Sequence, residues 1–110
     1  MPGKNTIKDA SEIFEKGLSS SKEQFYDFSL YVAGMTSRSL RAVDNIKDLC
    51  IKHLEGRYEL EVIDIYQLPE RAVEDQIVAV PTLIKKSPHP VRWLIGDLSD
   101  QGRVLAGLNL

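Results

Sequence analysis

The period of the hydrophobic pattern changes twice between Tyr26 and Tyr66, and this change constrains the fold more than any other feature. Tyr26, Phe28, Leu30 and Val32 alternate with Asp27 and Ser29, the period of two that a half-buried strand requires. Gly34 halts the alternation, and Thr36 or Ser37 can cap a helix in which Leu40, Val43, Ile46, Leu49, Cys50, His53 and Leu54 recur at threes and fours. Gly56 suits the end of that helix. From Tyr58 to Tyr66 the period returns to two, with Leu60 and Val62 against Glu59 and Glu61. Ile63 and Ile65 then make both faces apolar, as expected of a sheet interior. Strand, helix and strand in this order predict a right-handed crossover.

The rest of the chain extends the pattern. Pro69 opens a short helix through Asp75, with Ala72 and Val73 as its apolar side. Val78 to Ile84 reads as a third strand interrupted by Pro81. Pro88 and Pro90 mark a turn, Val91 to Ile95 a fourth strand, and Ser99 caps a final helix carrying Val104, Leu105 and Leu108. The order β-α-β-α-β-β-α, with a proline opening the third strand, predicts an α/β thioredoxin-like fold. A chain of 110 residues with 43% apolar and 27% charged residues suits one such domain, placed at 25–110. In residues 1–24, Ala10, Ile13, Phe14 and Leu18 have helical spacing and Ser19, Ser20 and Ser21 break it. An N-terminal extension of a short helix and a polar hinge is expected there.

Location and partners are bounded by what these residues exclude. Met1 to Gln24 contains no apolar run of the secretory type, and no uncharged apolar stretch approaches the ~20 residues of a membrane span. The single cysteine, Cys50, fits a reducing compartment, so the cytoplasm is expected. A net charge of -2 gives no basic footprint for nucleic acid. Charge is uneven, however. Acids dominate Glu55 to Asp75, while Lys85, Lys86 and Arg92 fall in a stretch without acids, and patches of opposite sign steer protein partners.

The search for chemistry yields little. A thioredoxin-type enzyme places a cysteine pair where the first strand meets its helix, because the helix N-terminus lowers the thiol pKa. Here that junction reads Ala33-Gly34-Met35-Thr36-Ser37-Arg38-Ser39, without a sulfur nucleophile. Cys50 lies instead on the apolar side of the helix, where a thiol acts as a small hydrophobe. His53 and His89 stand in no metal-ligand pair. Gly96-Asp97-Leu98-Ser99-Asp100 reads as a turn and helix cap before it reads as a calcium loop. No catalytic residue, metal or cofactor is therefore assigned. Trp93, next to Arg92, reads equally as a core anchor and as an interface anchor.

Several segments together resemble the KaiB family. They are Leu30-Tyr31-Val32-Ala33-Gly34, Ser39-Leu40-Arg41-Ala42-Val43, Val62-Ile63-Asp64-Ile65, Ala79-Val80-Pro81-Thr82-Leu83-Ile84-Lys85, Pro90-Val91-Arg92 and Ile95-Gly96-Asp97-Leu98-Ser99-Asp100. The resemblance implies binding without catalysis: docking on a hexameric KaiC-like ATPase, sequestration of KaiA, and displacement of the histidine kinase SasA. It implies Ala79, Lys85, Arg92 and Trp93 as the ATPase-binding surface and Arg41 as a further partner contact. It also implies metamorphism between a ground-state fold, in a dimer or tetramer, and the thioredoxin-like fold, the difference lying in the C-terminal half. Gly107 and Asn109 match positions that bias that equilibrium, with Asn109 standing where the family has aspartate. Pro81, Pro88 and Pro90 are expected to take part, since proline isomerism is slow. The output so implied is circadian timing or, in a bacterium without KaiA, stress adaptation.

Two other readings compete. A one-cysteine thioredoxin relative with redox activity requires an accessible, acidic Cys50. A solo input domain would bind a SasA-like histidine kinase in place of the ATPase.

Overall fold

The computed structural model describes residues 24–110, so the helix and hinge expected in the N-terminal extension lie outside the described residues apart from Gln24. Seven elements follow in the order β1 (Tyr26–Val32), α1 (Ser37–His53), β2 (Tyr58–Asp64), α2 (Pro69–Glu74), β3 (Thr82–Ser87), β4 (Arg92–Ile95) and α3 (Gln101–Gly107). This is the order the hydrophobic pattern predicts. The four strands form one sheet in the order β2-β1-β3-β4. β1 and β2 run parallel from Tyr26↔Tyr58 to Val32↔Asp64, as the crossover through α1 demands. β1–β3 and β3–β4 are antiparallel.

Each face of the sheet carries its own core. On one, Phe28, Leu30 and Leu83 meet Ala42, Ile46, Leu49 and Cys50 of α1 and Val104 and Leu108 beside them. On the other, Tyr31, Ile63 and Ile84 pack against Ala72 of α2 with Ile77 and Val80. Burial at ~25 cal/mol per Å2 of apolar surface is what holds α1 to the sheet, since an isolated helix of this length is marginal in water. Thr36 caps α1 by accepting from the Ser39 amide at 3.2 Å.

Several expectations need correction. β2 is an edge strand and not a sheet interior: Glu59 and Glu61 face solvent, Val62 is exposed, and among its side chains only Ile63 is buried. Both-sided burial belongs to β1, which has a neighbour on each edge and helices over both faces. The third strand begins at Thr82, after Pro81, and runs on to Ser87. Proline cannot donate to a ladder, and residues 76–81 form a separate connection that leaves Val78 exposed. Asp100, not Ser99, caps α3, its carboxylate accepting from the Arg103 amide at 3.2 Å. On α1, Leu40 and His53 point to solvent, while Ser39 takes the buried position. Ser39 is tolerated there because its Oγ accepts from the Ala33 amide.

Candidate partner-binding surface

Among the described residues β4 has β3 as its sheet neighbour on one side and no strand on the other, so that edge is open. Such an edge offers unpaired backbone groups to a partner. Trp93 pairs with Ile84 and Ile95 with Thr82, which places both side chains on the α2 side of the sheet by strand alternation. There the short α2 does not reach over them: Trp93 is 53% exposed and Ile95 63%. Val78, 89% exposed, comes to the same place from the connection after α2. These three side chains, with Gln76, Ile77 and Thr82, line an apolar groove of about 350 Å3. Trp93 is therefore a surface aromatic and not a core anchor.

The groove wall owes its shape to the residues before β3. Gln76 has a φ of 57°, turning the chain out of α2. Ala79 is half-buried beyond it and its carbonyl accepts from Thr82 Oγ1 at 2.6 Å. Pro81 follows a cis peptide bond and is buried. Its carbonyl accepts from the Gly96 amide at 3.0 Å, tying this connection to the end of β4. Pro88 and Pro90, also after cis bonds, form the turn between β3 and β4.

The basic run does not form one patch. Lys85 pairs with Phe28 on one side and Arg92 on the other. It is 1% exposed, on the same face as Leu83. Burial lowers its pKa, and the neighbouring Arg92 adds to this. Lys86 faces the other way and holds Asp75 at 2.9 Å. Of the three, Arg92 alone is exposed. Strand alternation, which the local charge run conceals, sends neighbouring cations to opposite faces.

Arg41 sits on α1 and reaches the loop after β4, its Nε donating to Asp97 Oδ2 at 3.2 Å. Asn45, one turn on, donates to the Asp97 carbonyl at 2.8 Å. Hydrogen bonds from Ser99 and the Arg41 guanidinium hold the Asp97 carboxyl below its usual range. This clasp borders an open cleft of about 460 Å3 between Arg38, Arg103 and Trp93. The turn-and-cap reading of Gly96 to Asp100 thus describes what these residues do. Farther on, Gly107 lies so close to β4 that a Cβ there would stand 2.8 Å from Leu94 Cδ2. Asn109 takes a φ of 62°, a conformation asparagine tolerates better than most residues.

Cys50 is fully buried among the apolar side chains of α1, and burial pushes its thiol up to about 12. A thiolate is the reactive form, and this burial disfavours it. Among the described residues no group of His, Cys, Asp and Glu could hold a metal ion, and no helix is long and apolar enough to cross a membrane. The local pattern missed Val78, Ile95, Asn45 and Asp97. Ile95 was within reach, since it stands two residues from Trp93 and must share its face. The others join the surface through long-range contacts.

Comparison with known proteins gives three results. The family profile described as KaiB domain matches residues 29–110. A circadian clock oscillator protein KaiB of Nostoc punctiforme is 52% identical over 85 residues, 77% of this chain and 82% of that protein. One from Prochlorococcus marinus is 49% identical over 90 residues, 82% of this chain and 76% of that protein. Among solved structures, the N-terminal domain of Synechococcus elongatus SasA superposes with a TM-score of 0.63 at 25% identity, covering 78% of this chain and 85% of that one. The Drosophila melanogaster thioredoxin Deadhead superposes equally well, with a TM-score of 0.63 at 12% identity over 90% of this chain and 91% of that one. The fold is thioredoxin-like.

Proposed function

This chain belongs to the KaiB family, and on that premise we propose that it is a non-catalytic clock-type regulator that binds a hexameric KaiC-like ATPase through the open edge of β4. The observation that carries this reading is the exposure of Trp93 and Ile95 over an apolar groove at an unpaired strand edge. Large aromatics in such positions dominate binding energy. Ala79 follows the groove residue Val78 in the chain, Arg92 stands on the opposite face of β4 from Trp93, and Arg41 extends the surface through its clasp with Asp97. Lys85 enters contact only where the sheet around it opens. Binding that prefers one nucleotide state of the ring shifts the ring toward that state.

The likeness to the SasA N-terminal domain supports a second role on the same surface: competition with a SasA-like histidine kinase for the ATPase. Sequestration of KaiA, a dimer or tetramer of a second fold, and a circadian or stress-adaptation output belong to the same reading. The fold change would rebuild β3, β4 and α3, the region holding Pro81, Pro88, Pro90, Gly107 and Asn109. Nucleic acid, membrane and cofactor have no part in it, and the site of action is the cytoplasm.

Size-exclusion chromatography with a KaiC-like ATPase tests the proposal. ATP-dependent co-migration is expected, and Trp93→Ala and Arg92→Glu should each weaken it, the tryptophan change by about 30-fold if it costs the ~2 kcal/mol of a hot spot. No complex at high micromolar concentration would defeat the reading.

A further inference from the structure

The hydrogen-bonding polarity of β4 suits a second copy of this chain. The Gly96 amide donates to the Pro81 carbonyl at 3.0 Å, and β3 pairs with β4 as Thr82↔Ile95, Leu83↔Leu94, Ile84↔Trp93 and Lys85↔Arg92. Successive residues of an antiparallel ladder turn their backbone groups to opposite sides. Gly96, Leu94 and Arg92 therefore turn theirs toward β3, and Ile95 and Trp93 turn theirs toward the edge where no strand lies among the described residues. The same two residues carry exposed apolar side chains on the α2 face. Backbone groups that lack a strand and side chains that lack a cover thus belong to the same positions.

Symmetry narrows the register. A two-fold axis normal to the sheet keeps the faces of two copies aligned, so residues directly opposite each other share a face. Trp93 then stands opposite either the partner's Trp93 or the partner's Ile95. Leu94 opposite the partner's Trp93 would set a backbone turned toward β3 against one turned outward, and no bonds would form. With Trp93 on the axis, the outer bonds fall to Val91, which precedes β4. With Leu94 on the axis, Trp93 and Ile95 of both copies exchange their bonds inside the strand. That register also sets Arg92, on the α1 face, opposite the partner's Gly96 and beside the opposite charge of the partner's Asp97. The two Arg92 positions are then about 14 Å apart along the strands.

We infer that this chain dimerises in the thioredoxin-like fold by antiparallel pairing of β4 with β4 of a second copy, Leu94 lying at the two-fold axis and Trp93 against the partner's Ile95. The sheet then continues through both copies, and each Trp93 covers the other copy's groove at its Ile95 side. A strand this short gives a contact below the ~1,200 Å2 of stable interfaces, so the dimer is reversible and forms at high protein concentration. It hides the edge assigned to the ATPase, so self-association competes with that partner. The competition rests on the proposed function, whereas the pairing itself does not.

Sedimentation equilibrium of the full-length chain tests the pairing. The average mass should rise from one chain toward two with concentration, and the emission of Trp93, the one tryptophan, should shift to the blue in step. Ile95→Pro removes an amide that faces the open edge and none that β3 uses, a placement proline tolerates. It should leave a monomer at every concentration with its thermal midpoint nearly kept. For the register, Leu94→Cys should oxidise to a disulfide-linked pair, because residues opposite in a non-hydrogen-bonded pair approach most closely. The exposed Arg92→Cys should not link, Cys50 being buried in both variants. A single-chain mass throughout, with no linkage in Leu94→Cys, would overturn the inference. So would equal linkage at both positions, the mark of random collision, or an undiminished dimer in Ile95→Pro. A dimer of a chain that binds no ATPase would support the pairing while removing the proposed function.

Discussion

Tyr31 Oη and Asp75 Oδ2 meet at 2.5 Å between the central strand and the end of α2. The Arg71 carbonyl lies 3.0 Å from the same hydroxyl, and Lys86 reaches Asp75 from β3 at 2.9 Å. A six-residue helix with no fully buried side chain is thus held to the sheet by a polar anchor as well as by Ala72. The groove beside Trp93 begins where this helix ends, so the anchor also sets its wall.

Tyr31→Phe should destabilise the protein by about 1.5–3 kcal/mol, the range for a hydrogen bond to a charged group. Urea unfolding would show a lower midpoint at an unchanged slope. An unchanged midpoint would mean that Ala72 and its neighbours hold α2 alone.

The pH dependence follows from Asp75. Burial works to raise its pKa, but hydrogen bonds from Tyr31 and Lys86 and the nearby cations outweigh it, and the carboxyl ends below its ordinary 3.8. A depressed carboxylate contributes stability above its unfolded pKa and loses it as pH falls through the folded value. Stability should therefore decline below about pH 4. Asp75→Asn should flatten this part of the profile in chemical denaturation at stepped pH.

Lys85 supplies the opposite sign. Its ammonium is buried beside Phe28 and Arg92, and its pKa is lowered. Folding therefore disfavours its charged form, and stability should rise with pH as the group deprotonates, up to about its ordinary 10.5. Lys85→Met keeps most of the volume and removes the charge. It should raise the midpoint by the equivalent of about 1 kcal/mol or more and remove that alkaline gain. A lower Tm in Lys85→Met would show that the ammonium is satisfied in solution.

Arg41→Ala separates binding from stability. The Arg41–Asp97 pair has an arginine side chain 55% exposed, and exposed pairs contribute about 0–1 kcal/mol. Thermal unfolding should barely change, while a partner that uses Arg41 should bind more weakly by calorimetry. A large loss of stability would reassign Arg41 as structural.

Cys50 should react slowly with iodoacetamide in the folded protein and at the ordinary rate once unfolded. Rapid modification of the native chain would reopen the redox reading.

The order of elements, the parallel β1–β2 pair, the core side of α1 apart from Ser39, Leu40 and His53, and the absence of a thiol at the β1–α1 junction were legible in the chain, because each depends on residues a few positions apart. Periods of two and 3.6 are local properties. The position of a strand within the sheet is not: β2 reads as interior from Ile63 and Ile65, yet β1 and β3 take the interior. The same holds for the surface. Lys85, Lys86 and Arg92 are neighbours in a basic run, but strand pairing buries one, pairs the second with Asp75 and exposes the third. Val78 and Trp93 stand far apart in the chain and meet only because the sheet brings the end of α2 beside β4. Side-chain period follows from backbone geometry within one element, whereas burial depends on which other elements arrive to exclude water.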